Sequence, residues 1–251
     1  MSSDIVHGNA SYENACESEL RCFTLLPVLQ ALFLDAAGTL IEPAEPVAEV
    51  YARAAASFGQ PVEPAVVKQW FGVAFGGIGD PKYDAHVDGD IAERDWWRQV
   101  VTTVFERSLG TSQLDGFLLP CFEALFEHYA DPAAWRVFPE VPGVLADARD
   151  AGLRLAVVSN FDLRLHGVLA GHGLHFDEVI TSADARARKP DPTIFRMALE
   201  QLNLQPHQVF HAGDSPIADI DGAAAEGIDA YLISRPATDL RIFLAEAFAR
   251  C

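Results

Sequence analysis

The sequence predicts an α/β fold, a doubly wound parallel sheet with an all-helical segment inserted after its first strand. Three observations carry this. Apolar runs with strand character recur at residues 31–34, 153–159, 176–181, 208–212 and 230–233, and helical stretches separate the last four. Between residues 44 and 135 the apolar spacing is helical, with no alternating pattern. Polar residues follow four of the strands, where open α/β sheets keep their ligands.

The first strand, residues 31–34, is apolar enough for burial on both faces and delivers Asp35 into the turn Ala36, Ala37, Gly38, Thr39. Val47, Val50, Tyr51, Ala54, Ala55 and Phe58 then recur at helical spacing, with Gly59 where a helix C-terminus would place it. Lys68 falls in a helical-looking stretch over 66–70. Residues 75–79 (Phe-Gly-Gly-Ile-Gly) have no strand before them and no clear helix after them. They read as a flexible loop facing substrate rather than a dinucleotide fingerprint. Ile91, Trp96, Trp97, Val100, Val101, Val104 and Phe105 form a second stripe closed by Gly110, and residues 112–129 a third helix. From residue 136 the texture changes, with helices expected over 141–151, 162–171, 192–202 and 217–226 between the remaining strands. The chain thus divides into an α/β core over 28–43 and 136–251, a helical cap over 44–135, and a disordered extension over 1–27.

With 251 residues, half of them hydrophobic, the chain can bury a sizeable core plus a smaller unit. A net charge of −18 argues against nucleic acid held on a basic surface, and it demands a locally positive site for any anionic substrate. Cys16, Cys22, Cys121 and Cys251 show no zinc-ligand spacing and read as free thiols. The apolar run over 23–34 is too short to span a bilayer, and the N-terminus lacks a secretory pattern. A cytoplasmic location without a membrane partner is the expectation; oligomeric state is not encoded legibly.

The strand ends suggest one coherent chemistry. Asp35 with Asp214, joined by Asp219, makes a hard oxygen set suited to Mg²⁺. Clustered carboxylates raise one another's pKa, and a divalent ion and the ammonium of Lys189 relieve this. Ser159, the backbone N–H groups of the turn around Gly38 and Thr39, and those of the helix starting near Asn160 can bind phosphoryl oxygens. An ionised Asp35 beside a bound phosphate can act as nucleophile.

Asp-Ala-Ala-Gly-Thr at 35–39, Ser159, Lys189, and Gly213-Asp214-Ser215 with Asp219 together resemble, in order, the four motifs of the haloacid dehalogenase (HAD) superfamily, whose core is Rossmann-like. Residues 95–101, Trp135 with Val137 and Phe138, and the stretches over 153–162 and 189–195 are similar to its rhythmically-expressed-gene-2-like, type 3 domain-containing subgroup. The resemblance implies a Mg²⁺-dependent hydrolase of a small phosphorylated molecule. Asp35 would be nucleophile and metal ligand, the Ala37 carbonyl a second ligand, Asp214 a third, and Asp219 a support. Lys189 would orient the nucleophile.

Ala37 departs from that pattern. Phosphatases of the superfamily carry an aspartate there as general acid and base, help worth about 10²–10⁴ in rate. Dehalogenases carry a tyrosine and lack the Gly-Asp pair kept at 213–214. Phosphonate hydrolases carry alanine but need a cap lysine, for which Lys68 and Lys82 are the candidates and a surface role the preferred reading. The resemblance therefore implies slow phosphatase turnover, with two alternatives: carbon–phosphorus hydrolysis, or a catalytically weak phospho-ligand-binding protein. Elsewhere, the acidic run over 84–90 reads as a helix-capping turn, His207 and His211 as structural, Trp96 and Trp97 as cap core, and Asn160 and Asp162 as helix N-cap residues.

Overall fold

The computed structural model describes residues 29–250, so the expected extension over 1–27 lies outside the described residues, as do Cys16, Cys22 and Cys251. Strand β1 (Ala31–Leu34) leads through the Asp35 turn into a short β2 (Ile41–Pro43). Four helices follow: α1 (Val47–Ser57), α2 (Pro64–Gly77), α3 (Gly89–Leu109) and α4 (Leu118–His128). Strand β3 (Trp135–Val137) returns antiparallel to β2, pairing Ile41 with Val137 and Pro43 with Trp135. An ion pair at 2.6 Å between Arg136 and Glu42 spans this ribbon. The ribbon is not evident from the sequence, because three residues per strand are too few for a period to register.

Helix α5 (Val141–Asp150), β4 (Arg154–Ser159), α6 (Arg164–Gly171), β5 (Glu178–Thr181), a short α7 (Ser182–Ala185) and α8 (Thr193–Leu202) come next. Then β6 (Val209–Gly213) runs into a wide π-type turn over Pro216–Asp221, α9 (Gly222–Ala225), β7 (Asp229–Leu232) and α10 (Leu240–Phe248). The helix expected over 217–226 is thus split, and α10 has no counterpart in the sequence reading. The sheet is wholly parallel in the order β5-β4-β1-β6-β7, with β1 at its centre. Alternation along β1 sends Leu32 and Leu34 into the apolar layer of α5, α6 and α10, and Ala31 and Phe33 into that of α8.

Helices α1–α4 bury their own apolar cluster, which includes Tyr51, Trp96, Val100, Val104, Phe105 and Phe122. Residues 75–77, expected as a loop, continue α2 instead; burial of Val67 and Ala74 along the same helix outweighs a glycine cost of about 1 kcal/mol each. Asp88 caps α3 as the acidic-turn reading anticipated, accepting the Asp90 N–H at 2.8 Å. Away from the ribbon, the helices meet the sheet-bearing part where α3 crosses α7 and where Arg164 of α6 donates to the Phe126 carbonyl of α4 at 2.8 Å. A Cβ on Gly89 would stand 1.9 Å from the Ala183 carbonyl oxygen, so only glycine fits. Glu93, fully buried on α3, accepts from Ser182, Tyr83 and both arms of Arg188, whose Nε lies at 3.0 Å. Truncating one member of a buried, hydrogen-bonded pair strands the other charge. Glu93→Ala is therefore expected to lower unfolding free energy by about 3–5 kcal/mol, read from urea titrations monitored by tryptophan fluorescence.

Candidate active site

Chain topology changes direction at β1: β4 and β5 are laid on one side, β6 and β7 on the other. A crevice at such a reversal is where open α/β sheets hold ligands. Asp35 is still tied to β6, its N–H donating to the Ala212 carbonyl at 2.9 Å as its side chain leaves the sheet. In the turn that follows, the Thr39 and Leu40 N–H groups both donate to the Ala36 carbonyl, at 3.2 and 2.8 Å. Gly38 sits at φ +92°, and a Cβ there would come within 2.3 Å of Asp214 Oδ2. Glycine alone lets these two loops close on one another. Arg235 braces the same turn, donating to the Gly38 and Thr39 carbonyls at 2.8 and 2.9 Å.

Lys189 is buried at the centre. Its Nζ donates to Asp35 at 2.7 Å, Asp219 at 2.5 Å and the Val158 carbonyl at 2.8 Å, using all three ammonium protons. Asn160, expected near a helix cap, instead clamps the Lys189 backbone, accepting its N–H at 2.7 Å and donating to its carbonyl at 2.9 Å. Asp162 pairs with Arg164 at 2.6 Å. Asp219 also receives His211 Nε2 at 3.0 Å and the Ser215 N–H at 2.9 Å. Both its oxygens are thus engaged, which leaves it the least available of the three acids to any further ligand.

Electrostatics follow from this wiring. Burial pushes the Asp35 carboxyl up from 3.8 to about 6, against the pull of Lys189 and with the help of Asp219. Burial also acts on Asp219, but Lys189 and His211 outweigh it and hold that carboxyl well below the usual range. The shorter bond from the ammonium goes to Asp219, consistent with the split. Lys189 pays for burial too, yet Asp35 and Asp219 keep it above its ordinary value. Asp214 stands on the exposed rim, its carboxyl raised by partial desolvation and then by Asp219. One oxygen from each of Asp35, Asp214 and Asp219 lies within 4.8 Å of the others, a donor set that fits a small hard cation.

Among the described residues, then, Asp35, Lys189 and Asp219 are directly bonded, Asp214 adjoins them, and Asn160 fixes Lys189. Ser159 ends β4, buried, and Thr39 is buried with no partner for its hydroxyl; neither side chain is hydrogen-bonded to the cluster. His211 reads from the sequence only as structural, without its bond to Asp219, and Arg235 escaped the sequence reading. A histidine inside an apolar strand must find a buried partner, and that was the available signal for the first; nothing local marked Arg235.

Beside the carboxylates, a cavity of about 250 Å³ is lined by Ala37 and Asn160 on one side and by residues of α1–α4 on the other. Phe75 and Trp97 line it, whereas Trp96 packs under the Arg188 guanidinium at 3.8 Å. Lys68 and Lys82 are exposed and neither lines this cavity, so neither is placed for a Schiff base beside Ala37.

Known proteins are similar to this chain. The human haloacid dehalogenase-like hydrolase domain-containing protein 3 is 35% identical over 210 residues, 83% of each chain. A Thermus thermophilus phosphoserine phosphatase is 36% identical over 128 residues, 44% of this chain and 51% of that one. A solved HAD phosphatase from Thermococcus onnurineus superposes with a TM-score of 0.56 at 26% identity, covering 83% of this chain and 88% of that one. Residues 29–227 match the haloacid dehalogenase-like hydrolase family as a whole. By its sheet order, its convergent acids and these relationships, the chain belongs to the haloacid dehalogenase-like hydrolases.

Proposed function

We propose that this hydrolase acts on a small phosphorylated molecule, with Mg²⁺ as cofactor and Asp35 as the group that accepts the phosphoryl moiety. The observation that carries it is the approach of Asp35, Asp214 and Asp219 around the Lys189 ammonium. Asp35 has one oxygen bonded to Lys189, which leaves the other to attack phosphorus. The Ala37 carbonyl would complete the ligand set with Asp35 and Asp214, and Asp219 would support it through Lys189. When bound, Mg²⁺ supplies the positive charge that lets a phosphate approach clustered carboxylates. The Ser159 hydroxyl and the edge at Asn160 would hold the phosphoryl oxygens, whereas the Gly38 and Thr39 N–H groups, expected to share that task, donate within the turn to the Ile41 and Ala36 carbonyls at 2.7 and 3.2 Å. The segment over 44–135 would serve as the cap, hinged at the β2–β3 ribbon. Turnover is slow, because Ala37 supplies no proton to the departing group.

The test is a panel of phosphate esters assayed with Mg²⁺ and with chelator. Hydrolysis that chelator abolishes supports the reading; hydrolysis that chelator leaves intact refutes the metal requirement, and stabilisation by a ligand without its turnover favours a binding protein.

Acidity gives a second handle. In metal-free protein the folded state keeps a proton on Asp35 up to about 6, while the unfolded chain releases it near 3.8. Between those values the native state binds more protons, so this group's contribution to stability is present at low pH and lost as pH rises through about 6. Asp219, held low, acts in the opposite sense at pH below the usual carboxylate range. Because the cation competes with the Asp35 proton, the rise in Tm produced by a fixed Mg²⁺ concentration is expected to grow from pH 5 to about 7 and then level off. Asp35→Asn should flatten that slope, and a slope that persists would assign it to another group.

A further inference from the structure

We infer that the substrate is an aryl phosphate monoester with an uncharged ring, seated in the cavity beside Ala37. This rests on the phosphatase reading above and specifies it. More than half of the cavity's lining is aromatic, including Phe71, Phe75, Trp97, Phe126 and Phe161. At about 250 Å³ it exceeds the roughly 150 Å³ at which an apolar protein cavity takes up benzene. Its cation is not free for a second anion: Arg164 is ion-paired with buried Asp162 and lies 3.6 Å over the Phe126 ring. Sugar and amino-acid phosphates would leave hydroxyl or charged groups unpaired against this wall. Within this wall, Tyr129 carries a buried hydroxyl that has no partner among the described residues.

Chemistry at Ala37 points the same way independently. A phenol ionises near 10, as tyrosine does, whereas an aliphatic alcohol stays near water's value of about 16. An aryl oxygen therefore departs without the proton that Ala37 cannot give. An Asp35 oxygen bonds to phosphorus as the ester P–O bond breaks, and the bonding pair leaves with the aryl oxygen as phenolate. Water then adds to phosphorus, the P–O bond to Asp35 breaks, and the carboxylate is restored. One proton of that water stays on the phosphate and the other, through solvent, neutralises the phenolate. The second step lacks the same general base, so the phosphorylated enzyme accumulates.

Full-length protein with Mg²⁺ is assayed on 2-naphthyl phosphate, n-butyl phosphate and acetyl phosphate. Acetate is a far better leaving group than naphtholate, so leaving-group acidity alone would rank acetyl phosphate first. A fitted aromatic cavity reverses that order. The expected result is kcat/KM at least tenfold higher for naphthyl than for acetyl phosphate, with an initial burst of about one naphthol per chain. Val47→Trp and, separately, Phe75→Ser alter the cavity wall and should each lower the naphthyl-to-acetyl ratio at least fivefold. Because a ratio is read, partial loss of fold, which lowers both rates, does not imitate the effect. Turnover of acetyl phosphate with naphthyl no better than butyl, or a ratio unmoved by both variants, overturns the aryl assignment and leaves the phosphatase reading standing. No turnover of any of the three overturns both.

Discussion

Ala37→Asp is expected to raise the turnover of n-butyl phosphate by about 10²- to 10⁴-fold, the usual worth of a positioned general acid. Ala37 is exposed and lines the cavity, so a carboxylate can enter without displacing core atoms. It is also two residues beyond Asp35 in the same turn. The gain should be largest where the leaving group is a poor one, as in alkyl esters, and small for acetyl phosphate. A uniform gain on all substrates would mean that the new carboxylate acts through binding rather than proton transfer. No gain on any would mean that the other groups do not form a competent site. Steady-state kcat across the three substrates distinguishes these outcomes.

Asp35→Asn is expected to abolish turnover, by at least about 10³-fold in kcat, because an amide oxygen cannot replace the attacking carboxylate. The change keeps shape and leaves Lys189 its contacts to Asp219 and Val158, so the fold should persist. Loss of activity with retained circular dichroism and retained cooperative unfolding is the outcome that assigns the chemistry to this residue. Phosphorylation of wild type, trapped by acid quench and mapped by mass spectrometry, should disappear in the variant. A variant as active as wild type excludes Asp35 as nucleophile.

Much of the core was legible because its signals are local. Apolar runs such as 31–34 and 153–159 end in polar residues, and β1, β4, β6 and β7 begin and end within about two residues of where those runs do. The parallel order then brings Asp35, Lys189, Asp214 and Asp219 to one edge without further information. What escaped depends on partners distant in sequence. Glu93 and Arg188 are 95 positions apart, and each alone reads as an ordinary surface charge. His211 looked structural because its neighbours are apolar, while its partner Asp219 sits eight residues on, around a turn that no periodicity announces. Residues 75–77 misled through composition: two glycines outweighed in the reading what packing outweighs in the folded chain.

The β2–β3 ribbon carries one mechanical consequence. Exit and return strands lie side by side, so both crossings of the chain between the four helices and the sheet stand at a single post. Glu93 is one of the fastenings on the far side, beside the bonds from Arg186 to the Asp84 and Val87 carbonyls, and its partner Arg188 is the residue immediately before Lys189. Any strain at Arg188 would therefore pass directly to the backbone that carries the ammonium between Asp35 and Asp219.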